Sequence, residues 1–192
     1  MASARKIMLI RHAEKPAGTI QGVDINGNGA KDCLVVQVWQ RAGALARFFA
    51  PVNGQFQNPQ IGRPQFLFAS SPVKDSQSGG GSKSFRPAQT VMPLSQLLGS
   101  TVPLNLMFTK GDETQVATAA ISCAGVVLIA WQREGIPVIA ETILGKSGIV
   151  PSKWPANRFD MVWVFDLQPG GTYSFSQAPQ MLLAGDLAAP IA

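Results

Sequence analysis

The chain has 192 residues, of which 46% are hydrophobic and only 14% charged, enough to bury the core of one domain. Its net charge of +5 favours anionic partners. The basic residues are nonetheless scattered, with no run of five and no aromatic interleaving of the kind that tracks a nucleic-acid backbone, so a nucleic-acid partner is not expected. The two cysteines, Cys33 and Cys123, stand far apart and outside any CxxC or Cys/His cluster, which excludes a disulfide scaffold and a zinc site as organising features.

The first predicted element is KIMLI, Lys6 to Ile10, a short continuous apolar run of the kind found in a strand covered on both faces. Only MASAR precedes it, too little for a secretory h-region, so the expected location is cytoplasmic. The run ends in Arg11, His12, Ala13 and Glu14, and His12 is the one histidine of the chain.

GVDINGNGAKD then reads as a loop with strong turn signals. Asp24 to Gly29 fits the first half of a calcium-binding loop, but the twelfth position is Val35 where a bidentate glutamate is needed, and an Asn/Gly turn is the better reading. Apolar residues at helical spacing follow (Val38, Trp39, Ala42, Leu45, Ala46, Phe49), stopping at Pro51.

QFLFASSP is a second buried strand and a turn. The Gly/Ser-rich DSQSGGGSKS reads as a flap near Arg86; it lacks the Gly-Lys-Ser/Thr ending of a P-loop. FRPAQTVMPLSQLLG resumes helical spacing, broken at Pro93 and closed by Gly99, and Glu113 to Ala124 suits a further helix.

GVVLIAW is a third buried strand, and the longest apolar run, Ala124 to Trp131, is too short to cross a bilayer, so no membrane partner is expected. IPVIAETILG, with a proline in its first turn, predicts a helix ending on glycine. FDMVWVFDL is a strand, and YSFSQAPQMLLAGD an alternating edge strand with a tail.

Strands separated by helices predict one α/β domain over 1–192, a three-layer sandwich whose mostly parallel central sheet is flanked by helices. Ligands of such sheets lie beyond the carboxyl ends of the strands, where His12 falls. Arg11 beside it is suited to bidentate contact with phosphate.

IRHAEKP resembles the Arg-His signature of the histidine phosphatase superfamily, the phosphoglycerate mutase-like phosphatases. WQRAGALARFF resembles the first helix of that family, and ASSP with SFRPAQTVMPLSQLLG its second strand and Arg-x-x-Gln-Thr helix. GVVLIAWQREGIP resembles the strand that carries its second histidine. WPANRFDMVWVFDL and QMLLAGD resemble the closing segment of a bacterial and fungal branch with the RHAEKP motif.

The resemblance implies a phosphomonoester hydrolase that works without metal or cofactor. His12 would attack phosphorus and become phosphohistidine, and Arg11 and Arg86 would clamp the phosphoryl oxygens, since phosphoryl transfer depends chiefly on positioned cations. Nearby arginines would also keep His12 neutral.

The sequence departs from the family pattern at Arg133, which stands where the second histidine is expected. Arginine keeps a cation and five N–H donors for phosphate, but it cannot give up a proton. The alternatives for this side chain are an anion contact or an ion pair with Glu134 or Asp75.

No carboxylate stands at Pro93 to Gln96, where many members have a general acid. Glu14 is the candidate for that role, with pairing to Lys15 or to a site arginine as the other reading. The ligand implied is a phosphorylated small molecule or phosphate ion. The alternative to a working enzyme is a catalytically impaired pseudoenzyme that binds phosphate or a phospholigand.

Overall fold

The computed structural model describes residues 3–14, 20–73 and 81–192. A six-stranded sheet is built from β1 (Lys6–Arg11), β2 (Phe66–Ala69), β3 (Leu104–Asn105), β4 (Val126–Trp131), β5 (Met161–Leu167) and β6 (Tyr173–Pro179), in the order β3-β2-β4-β1-β5-β6. The strands β3, β2, β4 and β1 are mutually parallel; β5 pairs antiparallel with β1, and β6 with β5. The helices are α1 (Val36–Phe49), α2 (Arg86–Leu98), α3 (Glu113–Ile121) and α4 (Ile136–Leu144).

Side chains along a strand alternate between the two faces of the sheet, and the two halves of the core follow that alternation. Ile7, Leu9, Val127, Ile129, Trp163 and Phe165 pack with α3 and α4. Met8, Ile10, Leu128, Ala130, Val162 and Val164 pack with α1 and α2 on the opposite face. This double coverage explains why KIMLI and VVLIAW read as unbroken apolar runs. It also leaves the strand ends as the place where polar side chains gather.

Three expectations change. The α2 helix runs through Pro93 without a break. The proline removes one N–H, but burial of Val91 and Leu94 against the sheet holds both halves in line. The α3 helix stops at Ile121, three residues early. The two-residue strand β3 has no sequence signal of its own and exists through its pairing with Leu67 and Phe68.

The Asp24 loop is a tight turn. Asp24 Oδ1 accepts the N–H groups of Asn26 and Asn28 at 2.8 and 2.9 Å, and Asn28 Nδ2 donates to Oδ2 at 3.2 Å. These bonds, the Asn28 N–H foremost, lower the Asp24 pKa. No helix among the described residues is long and apolar enough to cross a membrane.

Candidate active site

The carboxyl end of β1 delivers Arg11 and then His12. The ladder with β4 pairs Arg11 with Trp131, and the His12 N–H donates to the Trp131 carbonyl at 3.0 Å. His12 therefore leaves the sheet in register with the end of β4, two residues before Arg133.

The His12 ring is oriented by the next residue. Nδ1 lies 2.6 Å from the carbonyl oxygen of Ala13. A carbonyl can only accept, so Nδ1 carries a proton in this contact. The residue is 3% exposed.

The loop that carries it is pinned to α2. The Ala13 N–H donates to Thr90 Oγ1 at 2.9 Å, and the Thr90 hydroxyl donates in turn to the Arg86 carbonyl at 2.7 Å. Gln89 also contributes, its Oε1 accepting the Leu34 N–H at 2.8 Å.

Arg11 is buried, and its Nη1 donates to three carbonyls of one loop, Pro155 at 3.0 Å and Ala156 and Arg158 at 2.8 Å each. The guanidinium carbon lies 3.6 Å from the centre of the Phe159 ring. Burial, followed by the positive field of Arg133, lowers its pKa to about 10 against the smaller pull of Glu134 and Glu14. It remains a cation at neutral pH. Its Nε is buried and has no partner among the described residues.

Arg86 opens α2. Its Nη1 donates to Ser84 Oγ at 3.2 Å and its Nη2 to the Lys31 carbonyl at 3.3 Å, which turns the head group toward the 31–33 loop. Burial lowers its pKa, and Asp32 and Cys33 oppose the shift. Its Nε is likewise buried without a partner among the described residues.

Arg133 lies two residues past β4, its Nε donating to Glu134 Oε1 at 2.9 Å. Burial, the largest single influence, opposes ionisation of Glu134, but the bond from Arg133, the bond from its own N–H and the charges of Lys110 and Arg133 together outweigh it and lower the carboxyl pKa. Arg133 and Glu134 also line a cleft of about 470 Å³ with Pro137, Lys153, Trp154 and Pro155. Pro155 and Ala156, whose carbonyls hold Arg11, also line this cleft.

Glu14 is paired with Arg41, a residue that the sequence reading did not single out. Arg41 Nε donates to Glu14 Oε1 at 2.8 Å, with Nη2 at 2.7 Å from the same oxygen. Glu14 Oε2 is buried and has no partner among the described residues. Of the two readings for Glu14, the pairing with an arginine is present, and it leaves one oxygen over.

Arg11, His12, Glu14 and Arg133 thus share one end of the sheet, whereas Arg86 is joined to them through its backbone and Thr90. Lys15, Asp75 and the 75–80 part of the Gly/Ser-rich flap lie outside the described residues; at its described end the Gly81 N–H donates to the Lys110 carbonyl at 2.8 Å. Thr90, Arg41 and Gln132 were missed. Arg41 carried a signal, since it falls three residues after Val38 on the buried side of α1. Gln132 is buried beside Arg133, its Nε2 donating to Ser70 Oγ at 2.9 Å. No group of three His, Cys, Asp or Glu side chains able to hold a metal ion occurs among the described residues.

No protein-family sequence model matches the chain, and no curated protein matches it in sequence. Solved structures do match. A phosphoserine phosphatase from Entamoeba histolytica in complex with 3-phosphoglyceric acid superposes with a TM-score of 0.52 at 14% identity, over 93% of this chain and 99% of that one. A protein proposed to be the phosphohistidine phosphatase SixA of Agrobacterium tumefaciens gives 0.52 at 14%, over 90% and 96%. A mycobacterial glucosyl-3-phosphoglycerate phosphatase, bound to VO3, gives 0.51 at 13%, over 90% and 98%. These neighbours share the fold of this chain, a six-stranded mixed sheet flanked by helices of the phosphoglycerate mutase-like kind.

Proposed function

We propose that the chain is a histidine phosphatase of the RHAEKP branch, with Arg133 in place of the second histidine, and that it hydrolyses a phosphorylated small molecule through a phosphohistidine at His12. The observation that carries this reading is the 2.6 Å contact of His12 Nδ1 with the Ala13 carbonyl, which orients the ring and assigns Nε2 the role of nucleophile. Nε2 attacks phosphorus, the bond from phosphorus to the leaving oxygen breaks, and that oxygen takes a proton. Water then attacks the phosphohistidine, releasing phosphate and restoring the imidazole.

In this reading Arg11, Arg86 and Arg133 hold the phosphoryl oxygens, whose charge spreads as the bond breaks. The unpartnered Nε atoms of Arg11 and Arg86 support the assignment, because buried donors ordinarily find acceptors. Glu14, protonated on Oε2 when the ester binds, hands that proton to the leaving oxygen and takes one back from the water that attacks the phosphohistidine. Neither metal nor cofactor enters the scheme.

A second reading, a phosphate-binding protein without turnover, is favoured by the engagement of Arg133 with Glu134 and by the 3% exposure of His12. Rapid acid-free quenching during incubation with an aryl phosphate, followed by mass spectrometry, separates the two. The hydrolase reading expects phosphate on His12, whereas unmodified protein, or phosphate on another residue, contradicts it.

A further inference from the structure

The C-terminal segment that follows β6 reaches the site along two routes. On the first, Asp186 binds Arg41 through two bonds, Nη2 to Oδ1 at 2.7 Å and Nη1 to Oδ2 at 3.1 Å, and Arg41 binds Glu14. Gln180 Oε1 accepts from Arg41 Nη1 at 3.2 Å. Asp186 is itself fixed by the N–H groups of Leu182 and Leu183 at 2.7 and 3.1 Å.

On the second route, Arg158 Nη2 donates to the carbonyls of Leu187 and Ala189 at 3.3 and 2.7 Å, while the Arg158 carbonyl accepts from Arg11. Asp160 ties both partners, through Arg158 Nε and the Leu187 N–H, each at 2.7 Å. One strap therefore braces the residue before His12 and the residue two after it.

The side chains of Arg41 and Asp186 are each 4% exposed, so neither head group is free to reorient in solvent. With its Oε1 held by Arg41, Glu14 has only the buried, unpartnered Oε2 left to offer a bound ester. We infer that Asp186 and Arg41 are positioning residues that hold Glu14 for proton transfer to the leaving oxygen, which makes the strap a working part of the site. The inference rests on the hydrolase reading above.

Leaving groups of different basicity test it. An aryl phosphate with an acidic phenol leaves without a proton, whereas an alkyl phosphate needs one, so displacement of Glu14 must slow the alkyl ester more. In Asp186→Asn and Arg41→Met the ratio of alkyl to aryl kcat is expected to fall about tenfold or more. Glu14→Gln is expected to show the same fall, and Arg41→Lys a smaller one.

A purely structural strap would lower the melting temperature and slow both esters equally, leaving the ratio unchanged, and that result overturns the inference. A wild type that hydrolyses only the aryl ester overturns it as well. Should both strap variants fail to fold, Arg41→Lys and Glu14→Gln decide it by the same ratio. A wild type with no turnover of either ester counts against the hydrolase reading itself and takes the inference with it.

Discussion

The N–H of Ala13 and the hydroxyl oxygen of Thr90 meet at 2.9 Å, and this bond joins the loop carrying His12 to the second turn of α2. Both residues are fully buried, so water cannot replace the bond if it is lost. Thr90→Val keeps the shape and removes the acceptor, which leaves a buried N–H unsatisfied at a cost of about 1–3 kcal/mol. Thr90→Ser keeps the acceptor and is expected to lose much less. Denaturant unfolding of the two variants checks the difference, and phosphate affinity should fall with Thr90→Val, because the same hydroxyl holds the Arg86 carbonyl.

Arg133 depresses the pKa of Arg11, second only to burial, so the two cations act on a common region. Glu134 and Glu14 offset part of that repulsion, and a phosphate held between the two cations would offset more. Arg133→Met is therefore expected to weaken inorganic phosphate binding about tenfold, equal to about 1.4 kcal/mol, with a shallower salt dependence than the wild type. Calorimetric titration at low and high salt measures it. Unchanged affinity would mean that Arg133 serves Glu134 alone.

Acid stability follows from Asp186. Burial works against its ionisation, but the hydrogen bonds from Arg41, Leu183 and Leu182 prevail, and its pKa lies below the ordinary 3.8. As pH falls through 3.8, the unfolded chain takes up a proton that the folded chain still refuses. The stabilisation is therefore complete above that value and is lost as pH drops through the lower folded pKa. Glu134, lowered from 4.5, adds in the same direction. Asp186→Asn should be less stable at neutral pH and flatter on the acid side, as read from unfolding free energies between neutral pH and about pH 2.

Gly135 is needed for space, because its φ of −91° suits any residue. A Cβ there would come within 2.5 Å of Glu113 Oε1 and 2.7 Å of Trp131 Nε1, the two atoms that bond each other at 2.9 Å. Gly135→Ala is expected to destabilise by about 1–3 kcal/mol. A shift in tryptophan fluorescence should report the displaced indole.

Most of the sheet was legible because its strands are buried on both faces and read as apolar runs, and α1 and α4 announced themselves by spacing and by Pro51, Pro137 and Gly145. The hidden parts depended on partners distant in sequence. The strand β3 needs β2 beside it, and Pro93 looked like a break because local propensity carries no record of Val91 and Leu94 being buried. In the site, Arg11, His12 and Glu14 stood out as charge at the end of a strand. The contacts of Arg41 with Gln180 and Asp186 span 139 and 145 residues, beyond the reach of any local pattern.

The measurement that bears most directly on the account is hydrolysis of an aryl phosphate by the purified protein, in chelator, from neutral to acidic pH, against His12→Ala. The account predicts turnover in the wild type that disappears in the variant. Equal rates in the two proteins, or none in the wild type even after Arg133→His, would contradict it.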